Sequence, residues 1–184
     1  MPTFAPELAR SEVTVPLASF IKPYCAHYFS GGMEGAYFRK RQHSFPGNAS
    51  LLPLVRMFLS TCGADQSTDY RHLFTLLGAE LANNAVAHSR SSEFGATYTL
   101  VVERTSDGML LTCRDQGSLR PVPHGPLVPH PGGLDLDSEA GRGLAMVDAL
   151  STRWGDNGHP EYRSVWFFLA YDLSESRWNS LEKS

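Results

Sequence analysis

The chain has 184 residues, a length for one domain with room for an appended segment. At 42% hydrophobic and 19% charged it can bury a real core, which argues against wholesale disorder. Its net charge of −3, with only the short run Arg39-Lys40-Arg41 to set against it, excludes the basic stripe that nucleic-acid binding needs.

Residues 1–43 read as an N-terminal extension. They carry Pro2, Pro6, Pro16, Pro23 and Gly31-Gly32, and their apolar residues (Phe20, Ile21, Tyr24, Tyr28, Phe29) show weak periodicity. Such a segment suits an arm that packs on the domain or on a partner. A domain is predicted over 44–171, opening with a short strand at 44–46. A helix follows over 50–62, where Leu51, Leu54, Val55, Phe58 and Cys62 recur at helical spacing; Pro53 falls in its first turn and Gly63 ends it. A second helix is predicted over 70–89, with Ser67, Thr68 and Asp69 as candidate caps. Strands at 95–104 and 109–114 flank Ser106-Asp107-Gly108, a hairpin signal. The proline- and glycine-rich stretch 116–140 reads as a long loop. A third helix is expected over 143–152, closed by Gly155, then a buried strand of Val, Trp, Phe and Leu over 163–171. Residues 172–184 form a polar tail. Helices that precede, interrupt and follow antiparallel strand pairs imply an α+β fold: a two-layer sandwich with a mixed, mostly antiparallel sheet and helices on one face.

The three cysteines, Cys25, Cys62 and Cys113, are too far apart for a zinc site or a disulfide framework, so a reducing compartment is expected. The chain does not open on a basic stretch followed by an apolar run, and no apolar window reaches the roughly 18 residues of a membrane span. The expectation is a cytoplasmic protein that binds neither membrane nor nucleic acid.

Three polar clusters interrupt the apolar pattern. In the second helix, Glu80, Asn84 and His88 stand at successive i, i+4 positions and so share one face of an otherwise apolar helix. An uncompensated carboxylate there would cost several kcal/mol or be driven neutral. A pocket beside the stripe resolves this: the Asn84 amide oxygen is a hard ligand for Mg²⁺, and Glu80 can deprotonate a nucleophile near a terminal phosphate. A solvent-facing polar stripe is the plainer explanation, since E-x-x-x-N is short. The second cluster is Asp115-Gln116-Gly117 after an apolar strand. A carboxylate at a strand end can accept a hydrogen bond from an exocyclic amine, with Gly117 letting a flat ring approach; an ordinary turn has the same sequence. The third is Gly141-Arg142-Gly143-Leu144, opening a helix. Glycines there expose backbone N–H groups to an anion and Arg142 can reach a phosphate, though a flexible loop exit would look alike. The loop before it suits a lid.

Taken together and in this order, the clusters resemble the ATP-binding domain shared by gyrase, its heat-shock chaperone relative, histidine kinases and the mismatch-repair ATPases. The chain is most similar to the anti-sigma-factor serine kinases. ELANNAVAHS resembles the N box, DQG the first glycine box, and EAGRGLAMVDALSTRWG the second; Ser164-Val165-Trp166-Phe167 resembles the last strand, and SFPGNASLLPLVRMFL the opening strand and helix. The resemblance covers about residues 44–170. Leu119 stands where the first glycine box usually has its second glycine, and Asn83 where a small or hydroxyl residue is usual.

What the resemblance implies is specific. Glu80 would be the base toward a substrate serine, Asn84 would hold Mg²⁺, and His88 would lie near the phosphates. Asp115 would bind the adenine amine beside Gly117; Gly141, Arg142, Gly143 and Leu144 would meet the phosphates, and Ser164 would sit near the nucleotide. ATP and Mg²⁺ are the implied cofactors. The implied partners are a sigma factor, an anti-sigma-factor antagonist protein that is phosphorylated on serine, and a second copy in a homodimer. Two other readings stand beside this one: a module of the same fold that regulates transcription by partner binding alone, and a histidine-kinase catalytic domain without its sensor. The last is disfavoured because His43 and His72 lack the context of a phosphoacceptor histidine.

Overall fold

The computed structural model describes residues 38–119, 124–128, 142–174 and 176–178. The extension up to residue 37, much of the predicted lid, Gly141 and the last six residues of the tail therefore lie outside the described residues.

Five strands form one sheet in the order β1-β2-β3-β5-β4: β1 (Lys40–Pro46), β2 (Thr97–Arg104), β3 (Gly108–Arg114), β4 (Arg153–Asp156) and β5 (Ser164–Ala170). All four pairings are antiparallel, so the sheet is not mixed. Three α-helices accompany it: α1 (Leu52–Cys62), α2 (Thr68–His88) and α3 (Arg142–Leu150). The architecture is α+β, as the alternation of apolar patterns implies.

Alternation along the strands fixes which face meets the helices. Leu100, Cys113 and Val165 are cross-strand partners, as are Val102, Leu111 and Phe167, and all six are buried. α2 packs on this layer against β2 and β3, with α1 and α3 on either side of it. Being covered by both sheet and helices, α2 buries a broad face, Tyr70, Leu73, Phe74, Leu77, Leu81 and Ala85 with Ala79 and Ala82 beside them, and leaves His72, Asn83 and Ala87 exposed. Its start is set by Ser67, whose hydroxyl accepts the Tyr70 N–H at 3.2 Å. Tyr70 in turn donates its hydroxyl proton to the Leu169 carbonyl at 2.7 Å, pinning the first turn of α2 to β5.

Two boundaries differ from the sequence expectation. β1 begins at Lys40 rather than residue 44; on this edge strand the pattern is polar, and only Phe45 is fully buried, so pairing with β2 rather than burial defines it. Gly155 does not close a helix. It lies within β4, a strand that the sequence reading lacked, and α3 ends at Leu150. β4 is joined to β5 by the seven-residue connection 157–163, which the Asn157 side chain braces by accepting the His159 and Ser164 N–H groups and donating to the Tyr162 carbonyl, while Trp154 donates its indole N–H to Asp148 of α3 at 2.7 Å. No helix among the described residues is long and apolar enough to cross a membrane. Cys62 and Cys113 are buried free thiols, and burial pushes Cys62 up to about 12.

Candidate functional site

A cavity of about 430 Å³ opens between α2, the chain after β3, the start of α3 and the β4–β5 hairpin. Its apolar lining comes from Leu81 and Ala85 of α2, Cys113 of β3, Leu144 of α3 and Val165 of β5. Its polar groups are Asn84 and His88 of α2, Asp115 and Ser118 after β3, and Arg163 before β5. Residues 125–128 complete the wall. An apolar cleft with a few convergent polar groups is the usual form of a small-molecule site, and the volume is in the usual range.

α2 supplies one side. Asn84 and His88 line the cavity because four-residue spacing keeps them on one helical face. Glu80 lies one turn earlier on the same face and faces Gly143. A methyl carbon at Gly143 would stand 2.6 Å from Glu80 Oε2 and 3.6 Å from Asn84 Nδ2. Gly143 is therefore glycine because α3 runs this close to the Glu80-Asn84 stripe, and the contact joins the first predicted cluster to the third.

The chain after β3 supplies the opposite side. Asp115 Oδ1 accepts the Gly117 N–H at 2.7 Å, an Asx-type turn that fixes the carboxylate. Gly117 has φ of +82° and passes so close to the β4–β5 connection that a methyl carbon would lie 2.3 Å from the Glu161 carbonyl oxygen. Only glycine satisfies both conditions. The loop is stitched to the end of α2 by the Arg90 N–H, which donates to the Gly117 carbonyl at 2.8 Å, and by a β-bridge between Ser89 and Ser118. Burial raises the Asp115 carboxyl above the ordinary carboxylate range, while the Gly117 N–H and the Arg163 guanidinium act against that rise.

The sequence-predicted residues thus fall into three groups. Asn84, His88, Asp115, Gly117 and Leu144 line one cavity, and Glu80 meets Gly143 beside it. Ser164 does not line the cavity: it is the ladder partner of Arg114, and alternation turns it away from the face that carries Arg163 and Val165. Gly141 lies outside the described residues, and of Arg142 only the backbone is described, as the first residue of α3.

Arg163 and Asp156 were not among the predicted residues. Arg163 lines the cavity and forms a buried ion pair with Asp156 at 2.6 Å. The available signal was the cluster Gly155-Asp156-Asn157-Gly158, turn-forming residues directly before the apolar stretch of β5, which mark a chain reversal there. Reading Gly155 as a helix terminator concealed it.

Residues 45–166, about two thirds of the chain, match the family model described as the histidine kinase-like ATPase domain. A comparison with curated proteins finds no match.

Proposed function

The chain belongs to the histidine kinase-like ATPase domain family, and from that premise we propose that it binds ATP with Mg²⁺ in the α2–β3 cavity and transfers phosphate to a serine of a partner protein, as anti-sigma-factor kinases do. The observation that carries this reading is the convergence of Asn84 and Asp115, from a helix face and a strand end 31 positions apart in sequence, on one cavity.

The donor set fits the nucleotide and the ion. The cavity has room for a nucleoside, with Leu81, Val165 and Leu144 as apolar surface for a base and Asp115 as acceptor for an exocyclic amine. Asn84 offers an amide oxygen, a hard donor suited to an ion that takes its remaining ligands from phosphate and water. Bound Mg²⁺ would supply neutralisation of phosphate charge. Glu80, held against Gly143 one turn from Asn84, takes the proton of the attacking serine hydroxyl. The start of α3 presents backbone N–H groups and a positive helix end toward phosphate.

The partners in this reading are a sigma factor, which the domain sequesters, and an antagonist protein that carries the target serine. Val128 of the cavity wall and the sequence neighbours of two lining residues, Leu119 after Ser118 and Tyr162 before Arg163, are exposed apolar residues at 76%, 48% and 57% and suit protein contact. The same residues favour a second reading, in which the domain regulates a partner by binding alone. A phosphotransfer assay with labelled ATP and candidate antagonists separates the two. Label on a serine, lost in Glu80→Ala while ATP binding persists, supports the kinase; ATP binding without transfer to any antagonist that the domain binds removes it in favour of the second.

A further inference from the structure

Arg163 and Asp156 belong to none of the three clusters, yet the sheet register turns both toward the cavity side. Cys113 and Val165 are partners in the β3–β5 ladder and are buried beneath the helices. Just past the ladder, Asp115 and Arg163 fall side by side on that same face, and the Asp115 N–H donates to the Arg163 carbonyl at 2.9 Å. Asp156 is the partner of Val165 in the β4–β5 ladder, so it shares the face too. The Asp156 carboxylate is 1% exposed and the Arg163 side chain 12%, and they meet at 2.6 Å. Both Asp156 oxygens also lie 3.3 Å from the Leu127 N–H, which donates to them from the far wall of the cavity. The result is a row of carboxylate, guanidinium and carboxylate built across three strand ends.

Resting on the nucleotide reading above, the geometry points to Arg163 and Asp156 as a positioning pair that sets base specificity through Asp115. Arg163 keeps Asp115 an ionised acceptor aimed at an exocyclic amine, and Asp156 holds Arg163 in place while tying it to the 124–128 wall. The chemistry requires such a device. A carboxylate has only acceptor sites and suits an amine N–H, whereas the protonated acid carries a donor of its own. Burial favours the protonated form, and Arg163 with the Gly117 N–H opposes it. The pair would therefore select a 6-amino purine over one that lacks the amine.

The charged and titratable groups around Asp115 are Arg163 at the start of β5, Asp156 of β4 behind it, Cys113 of β3 and His88 of α2 across the cavity. The test is the ratio of affinities for ATP and for purine riboside triphosphate, measured from pH 5 to 8 with Mg²⁺ on the full chain. The two nucleotides carry the same triphosphate and differ only at the exocyclic amine, so the ratio isolates the group that meets that amine. The wild type should prefer ATP, and the preference should fade as pH drops through the folded-state pKa of Asp115. Arg163→Gln removes the positive charge, so the fade should begin about one pH unit higher; Arg163→Lys should restore most of the wild-type profile. Asp156→Asn keeps an amide oxygen as acceptor for Arg163, so the guanidinium stays held, and removes only the negative charge behind it; the preference should therefore persist to lower pH. Damage that is merely structural would weaken both nucleotides equally and could not move the profile in opposite directions. Should Arg163→Gln fail to fold, the downward shift in Asp156→Asn still decides the matter. A wild type that prefers ATP, with variants whose profiles coincide with it, overturns the inference and leaves the nucleotide reading intact. A wild type that binds neither nucleotide overturns the nucleotide reading and this inference with it, and one that binds both equally overturns this inference and the amine role of Asp115 alone.

Discussion

Gly143→Ala places a methyl carbon 2.6 Å from Glu80 Oε2, against an ordinary contact of about 3.4 Å or more, so the carboxylate must move by roughly 0.8 Å. The atom it meets is the end of a flexible side chain, not backbone, and a rotamer adjustment of that size costs on the order of 0.5–1.5 kcal/mol. Alanine in place of glycine within α3 returns up to about 1 kcal/mol of helix propensity. The two effects nearly cancel, so urea denaturation should give a stability within about 1 kcal/mol of wild type. Catalysis is less tolerant. A misplacement near 1 Å of a group that acts on the nucleophile lowers turnover by about 100-fold. Asn84 Nδ2 is 3.6 Å from the same methyl position, an ordinary contact, so ATP affinity should change only a few-fold. Denaturation, calorimetric ATP binding and labelled phosphotransfer on one preparation give the three numbers. Unimpaired transfer in a folded Gly143→Ala protein would refute the role of Glu80 at this contact.

Asn84→Ala should weaken ATP binding in the presence of Mg²⁺ and leave the weak metal-free binding unchanged, as calorimetry with and without a chelator would show. Gly117→Ala forces an L residue to φ of +82° and drives a methyl into the Glu161 carbonyl; a loss of at least about 1–2 kcal/mol in stability is expected by denaturant titration, with base selectivity lost as the loop shifts. Tyr70→Phe leaves the buried Leu169 carbonyl without its 2.7 Å donor and should cost about 1–2 kcal/mol in the same assay, with ATP affinity unaltered. Alkylation at pH 8 followed by peptide mapping should leave Cys62 and Cys113 unmodified in the native protein and modify both in denaturant, since burial raises both thiols.

Much of the fold was legible because its signals are local. α2 announces itself by an apolar run with a serine cap, and β3 and β5 by apolar stretches next to turn residues. The stripe Glu80-Asn84-His88 was legible for the same reason: its spacing alone places it on one face. What escaped was decided by pairing. β1 begins four residues earlier than its apolar content suggests because β2 offers it hydrogen bonds as far as Lys40. β4 is four residues long and half-buried, so it carries no periodic pattern; it is held by the ladder to β5 and by the Trp154–Asp148 bond. Arg163 and Asp156 escaped with it, since their placement at the cavity depends on the register of a hairpin and not on their own spacing. Ser164 illustrates the same sensitivity: one residue along β5 separates it from the cavity-facing pair Arg163 and Val165.

The most direct test of ATP binding at this cavity is an amide-resolved NMR titration of the protein with ATP and Mg²⁺. Saturable shifts gathered at Asn84, His88, Asp115, Gly117 and Leu144 are expected, because these residues surround one volume. Shifts absent at millimolar ATP, or confined to the hollow lined by Arg153, Trp166 and Phe168 elsewhere on the sheet, would contradict it.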